Sequence, residues 1–86
     1  MVQKEILVKN PTGLHARPAS LLVAQAAKWK SKITILFNNK TIIAKSMLSL
    51  LGGGIRKGSQ IVVVADGEDE QDALVAVCDL IEQFDE

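Results

Sequence analysis

The chain has no tyrosine, and among its 86 residues there are only two phenylalanines, two prolines, one tryptophan, one cysteine and one histidine. Its ten basic and ten acidic side chains cancel. Each scarcity excludes something. An aromatic content of 3% offers no base-stacking platform and zero net charge offers no cationic stripe, so nucleic acid is not an expected partner. A lone cysteine, Cys78, cannot close an internal disulfide. With no CxxC or Cys/His spacing and no second histidine, no structural metal site is expected. No apolar run approaches a membrane span, and the start Met1-Val2-Gln3-Lys4-Glu5 is not that of a signal peptide. Direct membrane insertion is therefore not expected, and a cytoplasmic location is. There is no internal repeat, low-complexity tract or linker. A hydrophobic content of 48% suffices for one modest core, so residues 1–86 are expected to form a single domain.

What is present is a chain whose hydrophobic period switches repeatedly. Ile6 and Val8 mark a first strand, after which Ala19, Leu22, Val23 and Ala26 repeat as one helical stripe from Ala16 onward, closed by Trp29. Ile33 to Phe37 and Thr41 to Ala44 are rich in β-branched residues. Asn38-Asn39 between them tolerates the positive φ values of a tight hairpin. Ser46 suits the N-cap of a short helix carrying Met47, Leu50 and Leu51, with Leu50 the inward member, and Gly52-Gly53-Gly54 ends it. Ile61 to Ala65 reads as a fourth strand. Asp69 to Asp72 place acidic charge at the start of a last helix whose buried stripe is Leu74, Val77, Cys78 and Ile81, which makes Cys78 a core thiol. The order β-α-β-β-α-β-α predicts an α+β fold, with helices gathered on one face of an antiparallel sheet.

The single histidine stands in the run Asn10-Pro11-Thr12-Gly13-Leu14-His15-Ala16-Arg17-Pro18-Ala19-Ser20. Pro11 and Gly13 punctuate a loop, which puts His15 at the N-cap or last position before the helix. Pro18 is tolerated in the first turn because that turn's N–H groups have no intrahelical partner; the same free donors receive anions. A phosphoryl group on His15 would meet those donors, the positive end of the helix dipole and the Arg17 guanidinium. Spacing alone leaves two readings open: a phosphohistidine site, or a solvated cap with no chemistry. A Ser/His/Asp hydrolytic set lacks any nucleophile-elbow signature.

Gly13-Leu14-His15-Ala16-Arg17-Pro18-Ala19 resembles the active-site signature of HPr, the histidine-containing phosphocarrier family of the bacterial phosphoenolpyruvate:sugar phosphotransferase system. Lys45-Ser46-Met47-Leu48 resembles that family's regulatory serine segment, and Lys57-Gly58 with Asp66 to Leu74 resembles its last strand and helix, so the likeness spans the chain. The resemblance implies an open-faced sandwich with a four-stranded antiparallel sheet in the order 1-4-2-3 and three helices on one face. It implies that phospho-enzyme I loads Nδ1 of His15 and that sugar-specific IIA domains unload it, with Arg17 and the backbone of Ala16 and Arg17 holding the phosphate. The carrier catalyses nothing alone and needs no cofactor. It further implies phosphorylation of Ser46 by HPr kinase/phosphorylase, docking of partners on Met47, Leu48, Leu51 and Ser20, and a transcriptional regulator among those partners.

The chain departs from the family's usual pattern at Ser20, Phe37 and Gly52-Gly53, and Gly52-Gly53-Gly54 weakens the end of the short helix through backbone entropy. A regulatory branch of the family carries glutamine at the position of His15, which this chain does not. Transport, a purely regulatory phosphorelay and a binding module with an unmodified His15 are the three functions in play. One feature lies outside the resemblance. If Ile6, Val8, Ile33, Ile35, Ile42, Ile61 and Val63 face the helices, alternation sends Leu7, Leu36, Ile43, Val62 and Val64 to the opposite, solvent-facing side. Either they form an apolar patch for a second copy or another protein, as in a weak homodimer through the open sheet face, or they serve strand propensity alone.

Overall fold

The computed structural model describes residues 1–86. Its elements run β1 (Val2–Leu7), α1 (Ala16–Ala26), β2 (Lys32–Phe37), β3 (Lys40–Ile43), α2 (Met47–Gly52), β4 (Gln60–Asp66) and α3 (Glu70–Gln83). The four strands form one antiparallel sheet in the order β1-β4-β2-β3. The three helices cover one face, as expected.

Register explains the burial. Ile6 pairs with Ile61, Ile33 with Ala65, and Ile35 with both Val63 and Ile42, so one face of the sheet is continuously aliphatic and those residues are at most 4% exposed. Against it α1 buries Pro18, Ala19, Leu22 and Ala26, α2 buries Leu50, and α3 buries Ala73, Leu74, Val77, Cys78 and Ile81. A fully buried leucine such as Leu22 or Leu50 contributes on the order of 2 kcal/mol. Asn38 and Asn39 adopt φ values of 55° and 64° between β2 and β3. Two successive left-handed residues make the type I′ turn whose twist matches the flanking strands, so the hairpin is specified by those two side chains.

The structure corrects the sequence expectations at three places. Strand β1 begins at Val2, which is half-buried against the core; Gln3 to Glu5 are exposed and the strand pairs only with β4, so this stretch carries little burial signal. Val8 and Ala44 lie just beyond their strands yet stay buried, because Val8 N–H donates to the Ser59 carbonyl and Ala44 N–H to the Ile33 carbonyl. On the open face, Leu7, Leu36 and Ile43 are exposed as predicted and Val62 is half-exposed, but Val64 is only 7% exposed. It sits on the central strand β4, flanked at its register by Gln3 on β1 and Thr34 on β2, so it has a neighbour on either side.

A further tie was absent from the sequence pattern. Asp69 is the N-cap of α3, but its carboxylate does not cap that helix. It accepts hydrogen bonds from the N–H groups of Lys30 and Ser31, each at 2.9 Å, and from the Ser31 hydroxyl. These bonds, the Ser31 hydroxyl first, hold its pKa well below the usual value, at about 2. Asp69 thus clamps the start of α3 to the connection between α1 and β2.

Candidate functional site

The loop before α1 is locked from both sides. Asn10 is buried, its amide Nδ2 donates to the Gly13 carbonyl at 2.8 Å, and Gly13 N–H returns to the Asn10 carbonyl at 3.1 Å. Leu14 is fully buried, and its N–H donates to the Ile55 carbonyl at 3.2 Å. Gly13 has φ +67°, and a Cβ there would lie 2.5 Å from the Ile55 oxygen and 2.7 Å from Arg56 Cα. Only glycine lets the loop come this close to the segment before β4. The backbone that carries His15 therefore rests on residues 55 and 56.

His15 is the N-cap of α1, in extended conformation with φ −128° and ψ 167°. Its imidazole makes no capping bond and is half-exposed, so both ring nitrogens are free of the helix. The next residue, Ala16, has φ +52°. A left-handed residue with a Cβ is strained by ~1–2 kcal/mol, and here that strain turns the chain into the helix directly beside the imidazole. The N–H groups of Ala16 and Arg17 donate to no group of the chain, and the first turn of α1 holds no acidic residue. The start of α1 therefore offers free N–H donors next to His15, while Glu86 brings acidic charge close by: its backbone oxygen accepts from Thr12 N–H at 2.7 Å and its carboxylate pairs with Arg17. Arg17 is exposed, its only ionic partner being Glu86, with Nε 3.4 Å from Oε1. Beside it lies a shallow hollow of about 220 Å³ that Arg17, Leu21, Leu80 and Phe84 help to line.

Ser46 takes the predicted N-cap of α2: φ is −114°, and its side-chain oxygen accepts from Ser49 N–H at 3.2 Å. Sequence reasoning missed the reach of Ser49, whose hydroxyl accepts from Ile43 N–H at 2.9 Å and so ties α2 to β3. Its only signal was a serine three residues after the cap. Leu50 turns fully inward as expected, while Leu48 is 83% exposed, Leu51 is 39% exposed and Met47 is half-buried against the core. Ser20 is exposed on α1, which packs beside α2. Lys45 Nζ donates to the Trp29 carbonyl at 2.7 Å and fastens the entry of α2 to the chain leaving α1.

No group of three His, Cys, Asp or Glu side chains is placed to hold a metal ion. Cys78 is buried in the core, and burial pushes its thiol up to about 11, far from the thiolate that a nucleophile needs. No helix is long and apolar enough to cross a membrane.

The family described as the PTS HPr component phosphorylation site matches residues 2–83. The phosphocarrier protein HPr of Borreliella burgdorferi is 40% identical over 86 residues, covering 100% of both chains. Among solved structures, HPr-C-His from Thermoanaerobacter tengcongensis superposes with a TM-score of 0.93 at 43% identity, over 95% of this chain and 92% of that one. A dimer of HPr from the same organism superposes with a TM-score of 0.76 at 44% identity, over 90% of this chain and 88% of that one. With a half-exposed histidine at the N-cap position of α1 on this sheet order, and with a family match over nearly the whole length, the chain belongs to the HPr phosphocarrier family of the phosphotransferase system.

Proposed function

We propose that residues 1–86 act as a single phosphocarrier domain in the cytoplasm, with His15 accepting a phosphoryl group from phospho-enzyme I and delivering it to sugar-specific IIA domains. The observation that carries this reading is the free imidazole at the start of α1, next to the unpaired N–H groups of Ala16 and Arg17. In the loading step the Nδ1 lone pair of His15 forms a bond to phosphorus as the phosphorus–donor bond breaks and its electron pair stays with the donor. The proton on Nε2 is not transferred, and the three phosphoryl oxygens, which share the negative charge, turn toward the backbone donors and Arg17. Arg17 is held only by an exposed ion pair, so it can swing toward the phosphate and away again. A carrier needs that reversibility, because a clamp that held the product tightly would block onward transfer.

Incubation with enzyme I and phosphoenolpyruvate, followed by intact-mass measurement, should show one acid-labile phosphoryl group on the wild-type chain. His15→Ala should show none. An unmodified wild-type chain with a competent enzyme I, or equal labelling of the variant, would refute the reading.

Two finer assignments rest on the same site. Ser46 is the regulatory acceptor for HPr kinase/phosphorylase: its half-exposed hydroxyl stands at the entry to α2, and a phosphate there adds about −1.5 to −2 charges beside the docking surface. That surface is formed by Met47, Leu48, Leu51 and Ser20, and it serves enzyme I, the IIA domains and a transcriptional regulator in turn. Self-association is the remaining partner reading. Leu7, Leu36 and Ile43 stay exposed on the open face of the sheet, and an HPr of 44% identity has been solved as a dimer.

A further inference from the structure

Charge in this chain is segregated although it sums to zero. All ten basic residues fall between Lys4 and Lys57, and every acidic residue except Glu5 falls between Asp66 and Glu86. Where the β2–β3 turn, the end of α2 and the approach to β4 meet, the basic half becomes concave. A shallow, open depression of about 750 Å³ lies there, and its only ionisable lining is Lys40, Arg56 and Lys57. None of these three cations is in an ion pair. The one nearby carboxylate on β1, Glu5, is engaged by the Gln60 amide at 3.1 Å and does not line the depression.

Part of the backbone in the wall is available as well. A Cβ at Gly54 or Gly58 would meet nothing within 4 Å, so no side chain crowds the wall there, although Gly58 N–H is committed to the Val8 carbonyl at 2.7 Å. The N–H groups of Gly54 and Lys57 donate to no group of the chain. Three unpaired cations around one mouth repel one another, and an anion that bridges them relieves that repulsion while meeting free N–H donors. Phe37 is the only apolar lining residue, so recognition here runs on charge rather than on apolar contact.

We propose that this bowl is a second anion site, which takes a small metabolite carrying two or more phosphate groups. It is separate from the His15 loop, although Arg56 belongs to both walls: its Cα backs onto Gly13 and the residue also lines the bowl.

Titration of the ¹⁵N-labelled full chain with inorganic pyrophosphate at low salt tests the assignment. Saturable amide shifts are expected at Lys40, Gly54, Lys57 and Gly58, with a dissociation constant on the order of 1 mM or tighter. The double variant Lys40→Gln/Lys57→Gln should keep the wild-type spectrum elsewhere and bind about tenfold more weakly, and Arg56→Gln should weaken binding about threefold. The start of α1 reports separately through Ala16 and Arg17. Shifts confined to those two residues, shifts that track ionic strength without saturating, or equal affinity in the double variant would overturn the proposal. So would an acidic peptide that shifts the bowl amides when pyrophosphate does not, since the surface would then belong to a protein partner.

Discussion

Gly13→Ala isolates the contact on which the His15 loop depends. At φ +67° any residue with a Cβ carries a conformational cost of ~1–2 kcal/mol. The new Cβ also lands 2.5 Å from the Ile55 carbonyl oxygen, which is backbone and cannot rotate aside. A comfortable contact needs about 3.5 Å, so the two segments must part by about 1 Å. That separation stretches the 3.2 Å bond from Leu14 N–H to Ile55 beyond use and pulls on the reciprocal pair between Asn10 and Gly13. Each of these three bonds is worth ~0.5–1.5 kcal/mol, so losing them on top of the conformational cost brings the expected destabilisation to about 3–6 kcal/mol. For a chain of this size that is a large share of a total stability of roughly 5–15 kcal/mol.

Gly54→Ala is the matched control. It has φ +73°, so it carries the same conformational cost, but its Cβ meets nothing within 4 Å. The gain from restricting the unfolded chain is common to both variants and cancels in their difference. Urea unfolding followed by far-UV circular dichroism should therefore place Gly54→Ala about 1–2 kcal/mol below wild type and Gly13→Ala at least 2 kcal/mol lower still. Enzyme I should also label the folded fraction of Gly13→Ala more slowly, because the displaced loop carries His15. Equal stability of the two variants, or wild-type labelling of Gly13→Ala, would show that the loop does not depend on this close approach.

Arg17→Ala should change unfolding free energy by less than about 1 kcal/mol, since its ion pair with Glu86 is exposed, yet slow His15 labelling at least tenfold; unchanged transfer kinetics would remove Arg17 from the mechanism. Ser46→Ala should cost about 1 kcal/mol through the lost cap on Ser49 N–H, whereas Ser46→Asp should keep the cap and slow labelling most at low salt; equal rates for Ser46→Asp and wild type would defeat the electrostatic reading. Because the folded pKa of Asp69 is depressed to about 2, its stabilisation is present in full above the ordinary carboxylate value and disappears as pH falls from about 4 through about 2. Urea midpoints measured across that window should fall more steeply for wild type than for Asp69→Asn, and parallel curves would exclude the clamp. Leu36→Lys should abolish any concentration-dependent light scattering without loss of fold, and a wild-type chain that stays monomeric throughout would eliminate the homodimer.

The features legible in the sequence are those whose cause is local. Asn38-Asn39 announces its turn because two adjacent residues tolerate the same backbone region, and Ser46 announces its cap because the N–H it serves lies three residues on. Alternation placed the inward face of the sheet correctly since period and burial coincide there. The same rule misplaced Val64, because exposure on the open face depends on what the neighbouring strands carry at that register. Strand order came from family resemblance and not from pattern, as nothing local tells β1 to pair with β4.

The candidate site divides along the same line. His15, Arg17 and the free helix start are readable from one stretch of chain, whereas the support beneath them comes from far away. Gly13 looked like a loop former, but its glycine is required by Ile55 and Arg56 more than forty residues on. Asp69 looked like helix-start charge, but its carboxylate is committed to Lys30 and Ser31. The left-handed Ala16 has no sequence signal at all, since alanine is an ordinary helix former, and it holds that geometry only because Leu14 is anchored on one side and α1 on the other. The chemistry of this carrier is thus written beside the histidine, while the geometry that presents the histidine is imposed by the rest of the fold. Substitution of Ile55, fully buried and remote in sequence from His15, shifts the backbone on which the loop rests and should for that reason alter phosphoryl transfer more than substitutions at exposed positions of α1 such as Ala24.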